Sequence, residues 1–147
     1  MDVDVDRYIA ALAERLSAIV PAGFHVDAAD GMLRYSSDAG RLPGQLGDYR
    51  AGTSGTHARA NFGVYGQTGE ENMIGLAVQA LDELQDYVSE ATHEPWPGPT
   101  RQPRPHAQIA DSMLHLWYGD GGTVVIACEP MPLAAFTRPE SASRDGG

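Results

Sequence analysis

The chain has 147 residues and a formal net charge of −10, from ten basic and twenty acidic side chains. All ten basic residues are arginine, which excludes Schiff-base and P-loop chemistry built on a lysine amine, and the acidic balance argues against nucleic acid as a ligand, since phosphate contacts need clustered positive charge. A single cysteine, Cys128, allows no internal disulfide and no cysteine-rich zinc site.

No apolar run approaches the length of about 20 residues that spans a membrane, and the N-terminus Met1–Asp6 is acidic where a signal peptide would be basic. The expectation is a soluble, cytoplasmic protein with one domain over residues 1–133 and no bound nucleic acid or membrane.

The first predicted element is a helix over residues 5–20. Ile9, Leu12, Leu16, Ile19 and Val20 recur at three- and four-residue spacing, on one stripe. Asp2, Asp4 and Asp6 stand at its start, where the helix dipole favours negative charge, and Pro21 ends it. Two strands follow, Phe24–Asp27 and Met32–Ser36, joined at Asp30-Gly31, a pair suited to a tight hairpin turn.

Residues 38–72 hold eight glycines, and a stretch of that length is improbable as one structureless loop. Strands at Asp48–Thr53 and Ala60–Tyr65 are expected within it, turning at Thr53-Ser54-Gly55-Thr56. Next, Thr68 and Glu71 have capping-box spacing. They open a second helix whose stripe Ile74, Ala77, Val78, Leu81, Leu84 and Val88 runs to about Ala91. The Pro-rich segment 95–106 reads as an extended connector.

A hairpin is expected last, with strands Ile109–Tyr118 and Thr123–Glu129 around a Gly119–Gly122 turn. Leu114, Leu116 and Tyr118 share one face; Met113, His115 and Trp117 share the other. Pro130 and Pro132 should end pairing, and residues 134–147 read as a disordered tail. Leu, Ile, Val and Phe number only 28 of 147 residues, but 23 of them fall outside 38–72, 95–106 and 134–147. The core is therefore concentrated rather than missing. The predicted fold class is α+β, a two-layer sandwich with an antiparallel sheet of four to six strands and two helices on one face. The element order resembles that of small secretion-chaperone-like α+β domains, which implies a fold and no activity.

The segment Leu81–Glu90, with His93-Glu94-Pro95-Trp96-Pro97, Leu116–Asp120, Phe24-His25-Val26 and Pro43-Gly44-Gln45, resembles a group of small acidic actinobacterial proteins of unknown function. The resemblance covers most of the chain and implies neither reaction nor ligand.

Several groups compete for a functional role. Met113, His115 and Trp117, with Trp96 from the connector, form a candidate interaction face if the helices cover the opposite side of the sheet. Asp82, Asp86 and Glu90 stack at i,i+4 spacing and could meet a basic partner, because no lysine or arginine lies between Arg59 and Arg101. His25 and Asp27 stand on one side of a strand as two possible metal ligands and His93-Glu94 could add two more, but no HExxH is present, because Pro95 follows Glu94 and breaks the helix that motif needs; no metal and no cofactor are expected. Ser54 lacks a GxSxG elbow, and Cys128 reads as a small buried hydrophobe, so no catalytic residue is assigned. The expected function is non-catalytic binding of a protein partner or of a second copy as a homodimer. Two other readings stay open: a small-molecule enzyme with the 38–72 loops as a lid and His57, Arg59 and His115 as polar groups, or an antitoxin- or immunity-like inhibitor of a basic target. Convergence of polar groups on one pocket would separate the enzyme from the binding module.

Overall fold

Helix α1 (Val5–Ser17) starts at Asp4, whose carboxylate accepts the Arg7 N–H at 3.2 Å and satisfies one of the free amides of a helix start. It buries Tyr8, Ile9, Leu12, Ala13 and Leu16 and ends at Ser17, so Ile19 and Val20 lie in the turn that follows. The computed structural model from which this is read describes residues 2–38, 52–98, 103–120 and 122–138.

Strands β2 (Phe24–Ala29) and β3 (Met32–Ser37) pair antiparallel around Asp30-Gly31, whose φ angles of 53° and 77° are those of a two-residue hairpin turn. β4 (Gly52–Thr56) adds to β3, with Leu33 opposite Thr56. Thr53–Thr56 is thus strand rather than the expected turn. The short helix α2 (Ala58–Asn61) replaces the expected strand at Ala60–Tyr65, and residues 48–51 of its proposed partner lie outside the described residues. Tertiary pairing overrides local turn chemistry here. Thr56 is 1% exposed and its hydroxyl meets the Tyr35 hydroxyl at 2.6 Å. Gly55 passes so close beneath the Leu33 carbonyl that a Cβ would stand 2.9 Å from that oxygen.

Helix α3 (Gly69–Thr92) opens on the expected capping box: Thr68 Oγ1 accepts the Glu71 N–H, and Glu71 accepts the Thr68 N–H. Those backbone bonds hold the Glu71 carboxyl below its usual range. The helix buries Met73, Leu76, Ala77, Ala80, Leu81, Leu84, Gln85 and Val88. Three tyrosines from three elements end on its carbonyls. Tyr8 of α1 donates to Met73 at 2.5 Å, Tyr118 donates to Leu81 at 2.5 Å, and the Tyr35 hydroxyl lies 3.3 Å from Ala80.

Beyond the connector, β5 (Arg104–Ala110) and β6 (Met113–Asp120) form an antiparallel hairpin. One long strand at 109–118 was expected; the structure breaks it at Asp111-Ser112, both left-handed at φ 54° and 61°, where two positive-φ residues close the turn. The Pro-rich connector correspondingly ends early, with Pro105 inside an outer strand opposite Tyr118. β7 (Thr123–Ala127) pairs with the end of β6, and β8 (Met131–Pro132) pairs with its start. Pro130 and Pro132 therefore interrupt pairing along β6 without ending it.

The expected tail is ordered as far as it is described. A 3₁₀ turn at Leu133–Ala135 leads to Phe136, which is 2% exposed with its ring 5.1 Å from that of Tyr8. β9 (Thr137–Arg138) then pairs with β1 (Asp2–Val3). An apolar anchor and a backbone ladder hold this stretch in place of disorder; residues 139–147 lie outside the described residues.

The fold is α+β with antiparallel strands. Instead of one sheet and two helices, the described residues form a three-stranded β2–β3–β4 sheet, a four-stranded sheet of β5 to β8, the β1–β9 pair, and three helices. Both larger sheets rest one face on α3, and α1 covers β2. Among the described residues no helix is long and apolar enough to cross a membrane.

Candidate functional site

The two sheets turn very different outer faces to solvent. On the β2–β3–β4 sheet the outward residues include two polar pairs: Arg34 Nε donates to Asp27 at 2.8 Å, and His25 Nε2 lies 3.0 Å from Asp38. On the second sheet the inward residues of β6, Leu114, Leu116 and Tyr118, are 0–1% exposed. Strand alternation therefore sends Met113, His115 and Trp117 outward, where all three are half-buried.

Register places further residues on that outer face. His106 lies opposite Trp117, Gln108 opposite His115, and Ala127 opposite Trp117 from the other side. The His106 and Trp117 rings stack at 5.2 Å and 21°, while His106 Nε2 donates to the Gly119 carbonyl at 2.9 Å, which fixes the imidazole over the indole. The β6–β7 register shifts between Tyr118 and Gly119, and such a bulge re-aims side chains. Val124 and Val125 are left 56% and 44% exposed. Gln108, His115, Trp117, Val124, Ala127 and Pro130 line an open, mainly apolar groove of about 500 Å³.

Sequence reasoning identified the Met113, His115 and Trp117 face but not the contribution of β5. His106 and Gln108 were hidden inside a segment read as connector because of its prolines, although the alternation from Pro105 to Ala110 was a usable signal. Trp96 does not belong to this face. Its ring packs edge-on against Tyr118, centroids 5.4 Å apart, and its N–H is held by Ser89 on α3, so it closes the core from the inner side.

Asp82, Asp86 and Glu90 are all exposed on α3, and none has a cation partner among the described residues. Partial burial, reinforced by the charge of Asp86, raises the Asp82 carboxyl above its usual range.

The groups of the enzyme reading do not converge. Arg59 is bound to Asp6, its Nη2 and Nε donating to Oδ1 at 2.8 Å and 2.9 Å, beside a cleft of about 150 Å³. His57 precedes α2 as an exposed residue with no capping bond, and His115 lines the groove on the second sheet. Of the expected lid, residues 52–72 form β4, α2 and the start of α3, and 39–51 lie outside the described residues. Burial raises the Cys128 thiol to about 11 despite the nearby Arg15, which removes its nucleophilic form at neutral pH. Ser54 is exposed on β4 opposite Tyr35, with no histidine or carboxylate bonded to it among the described residues. No three metal-ligating side chains cluster among the described residues.

Comparison of the chain with protein-family models, with curated proteins and with solved structures found no match.

Proposed function

We propose that this chain is a non-catalytic interaction protein whose docking surface is the outer face of the β5–β8 sheet, and that its partner is a positively charged protein. One observation carries the reading. Of the two larger sheets described, the first carries polar pairs, Arg34–Asp27 and His25–Asp38, on its outer face, while the second presents an aromatic and aliphatic groove that no described element covers. Stacked aromatic and aliphatic groups around a groove are what the core of a protein interface is made of. The partner's sign follows from charge. A chain at −10 without lysine meets a cationic surface with favourable long-range attraction and an acidic one with repulsion.

A second reading is supported by the exposed carboxylates of α3: an inhibitor that covers a basic target through Asp82, Asp86 and Glu90, as an immunity protein or antitoxin would. The two readings differ in which surface is needed. The test is affinity capture from the source cells with wild-type protein, Trp117→Glu, a triple Asp82→Asn/Asp86→Asn/Glu90→Gln variant and Arg34→Ala, followed by purification of the captured protein and titration calorimetry. The sheet-face reading expects a basic protein whose binding is lost in Trp117→Glu and kept in the other two, with affinity falling as salt rises. Loss in the triple variant alone transfers the function to the helix. Binding that ignores both changes overturns the two readings together.

A further inference from the structure

The Trp117 indole has two faces, and they are treated differently. One is covered by the His106 imidazole, stacked at 5.2 Å and 21° and itself fixed by its bond to the Gly119 carbonyl at 2.9 Å. The other looks over β7, because Trp117 stands between His106 of β5 and Ala127 of β7. Trp117 and Ala127 line the groove of about 500 Å³ and His106 does not, so the groove lies against the uncovered indole face. Ala127 offers only a methyl group there, and the slot beside the ring stays open.

The backbone of Ala127 is open on the same side of the sheet. Cys128 N–H donates to the Leu116 carbonyl at 3.0 Å, which makes Trp117 and Ala127 a non-hydrogen-bonded pair of the antiparallel ladder. The Ala127 N–H and carbonyl then point away from β6, and no hydrogen bond reaches them among the described residues. Just beyond, the edge closes: Arg15 of α1 donates to the carbonyls of Glu129 and Pro130 at 2.9 Å and 3.3 Å. The Glu129 carboxylate is exposed and has no ion pair among the described residues.

We propose that this slot is an arginine receptor: an extended segment of the partner pairs one residue with Ala127 through two backbone hydrogen bonds and lays that residue's guanidinium on the open face of Trp117. The inference rests on the sheet-face reading above and names what that face grips. Paired residues share a sheet face, so the residue opposite Ala127 sends its side chain outward beside the indole. Two strand spacings, about 10 Å, separate its backbone from that of Trp117, a span that a long side chain bridges and a valine does not. A planar cation stacks on an aromatic face and sheds water more readily than an ammonium. Charge makes the same choice, since the chain stands at −10 and Glu129 lies two residues from Ala127. Leucine and tyrosine lack the charge, and lysine lacks the plane.

The probe is a capped peptide, acetyl-Ser-Thr-Val-Arg-Val-Thr-Ser-amide, titrated into the full chain carrying Trp96→Phe, in which Trp117 is the sole indole. A saturable change in Trp117 emission is expected, at least about tenfold tighter than for the peptide with uncharged, isosteric citrulline in place of arginine. Methylating the arginine's backbone nitrogen removes the donor to Ala127 and should weaken binding at least about threefold. Ala127 is exposed, so Ala127→Val and Ala127→Leu should keep the far-UV circular dichroism spectrum while filling the slot and weakening binding progressively. Equal affinity for the arginine and citrulline peptides, indifference to the methyl group or to Ala127→Leu, or no saturation up to about 10 mM each overturns the proposal. If the peptide fails while Trp117→Glu still releases the captured partner, the face docks by other contacts and only the arginine slot falls. If the peptide binds while capture ignores Trp117, the docking function falls and the slot stands.

Discussion

Tyr35 and Tyr118 come from different sheets, yet their hydroxyls end at consecutive carbonyls of one helix, Ala80 and Leu81, at 3.3 Å and 2.5 Å. Both side chains are 0% exposed, so α3 acts as the shared wall of the two sheets. The two anchors differ in kind. Tyr118 donates to a carbonyl within the helix ladder. Tyr35 shares its hydroxyl with Thr56 Oγ1 at 2.6 Å, and Thr56 in turn donates to Glu83. A chain of buried hydrogen bonds leaves a partner stranded when one member is removed, whereas a single added bond does not.

These buried hydroxyls set the alkaline limit of the fold. Burial is the largest cause raising Tyr8, Tyr35 and Tyr118 above the ordinary value of 10.0. The unfolded chain then releases protons that the native state keeps, so the stability is fully present below pH 10 and is lost as pH rises above it. The expected loss is about 1.4 kcal/mol per pH unit for each tyrosine ionised only when unfolded. Cys128, raised from 9.0 to about 11, adds an earlier decline between those two values, which Cys128→Ala should remove. Urea midpoints measured from pH 8 to pH 11 check this; a flat profile contradicts it.

The two faces of α3 should respond very unequally to changes of charge. Leu81 is 0% exposed among core residues, so Leu81→Asp buries an unpaired carboxylate and should cost about 4 kcal/mol or more, enough to unfold the chain. Glu90 is exposed, one turn beyond Asp86, and Glu90→Gln should shift stability by less than about 0.5 kcal/mol. Denaturant titration of both variants measures the contrast. Equal effects would mean that the helix face is misassigned.

Both long helices and the first hairpin were legible because their signals are local: the capping box at Thr68, the stripe from Ile74 to Val88, of which Ala77, Leu81, Leu84 and Val88 are buried, and Asp30-Gly31 between two short strands. The errors share a cause, a local preference outweighed by a distant partner. Thr53–Thr56 has turn chemistry and became strand because β3 offered a ladder. Asp111-Ser112 lacks the glycine that marks most tight turns, so the β5–β6 break was invisible. Of the candidate face, Met113, His115 and Trp117 could be read from alternation alone. Trp96 was misplaced because nothing in a proline-rich segment says which way its side chains point.

Phe136 tests the anchoring of the described stretch Leu133–Arg138. Its ring lies against Tyr8, and the backbone on either side is tied down: Asp4 N–H donates to the Phe136 carbonyl at 2.8 Å, and β9 pairs with β1. Phe136→Ala should cost about 3–5 kcal/mol, as for other fully buried aromatic residues. Truncation after Arg138 should cost far less than truncation after Pro132, which removes Leu133, Phe136 and β9 together. Thermal melts of the three proteins give the order; an unaffected Phe136→Ala would return this segment to the status of a tail.

The two tryptophans offer the sharpest separation of core from surface. Trp96 sits edge-on to Tyr118 with its backbone N–H held by Ser89, so Trp96→Ala removes a ring that seals the core. The expected loss is on the order of 2 kcal/mol, below the cost of a fully buried tryptophan because Trp96 is only half-buried. Trp117 stacks on His106 on the outer face, where the local packing is a cross-strand pair worth less than about 1 kcal/mol. Trp117→Glu should therefore keep the far-UV spectrum and most of the stability. Quenching of the two indoles by acrylamide should follow the same division. The quenching that remains in Trp96→Phe reports Trp117 and should be strong, and that in Trp117→Phe reports Trp96 and should be weaker. If Trp117 proved the better protected, or if Trp117→Glu unfolded the chain, the outer face would be core and the docking surface would have to be sought elsewhere.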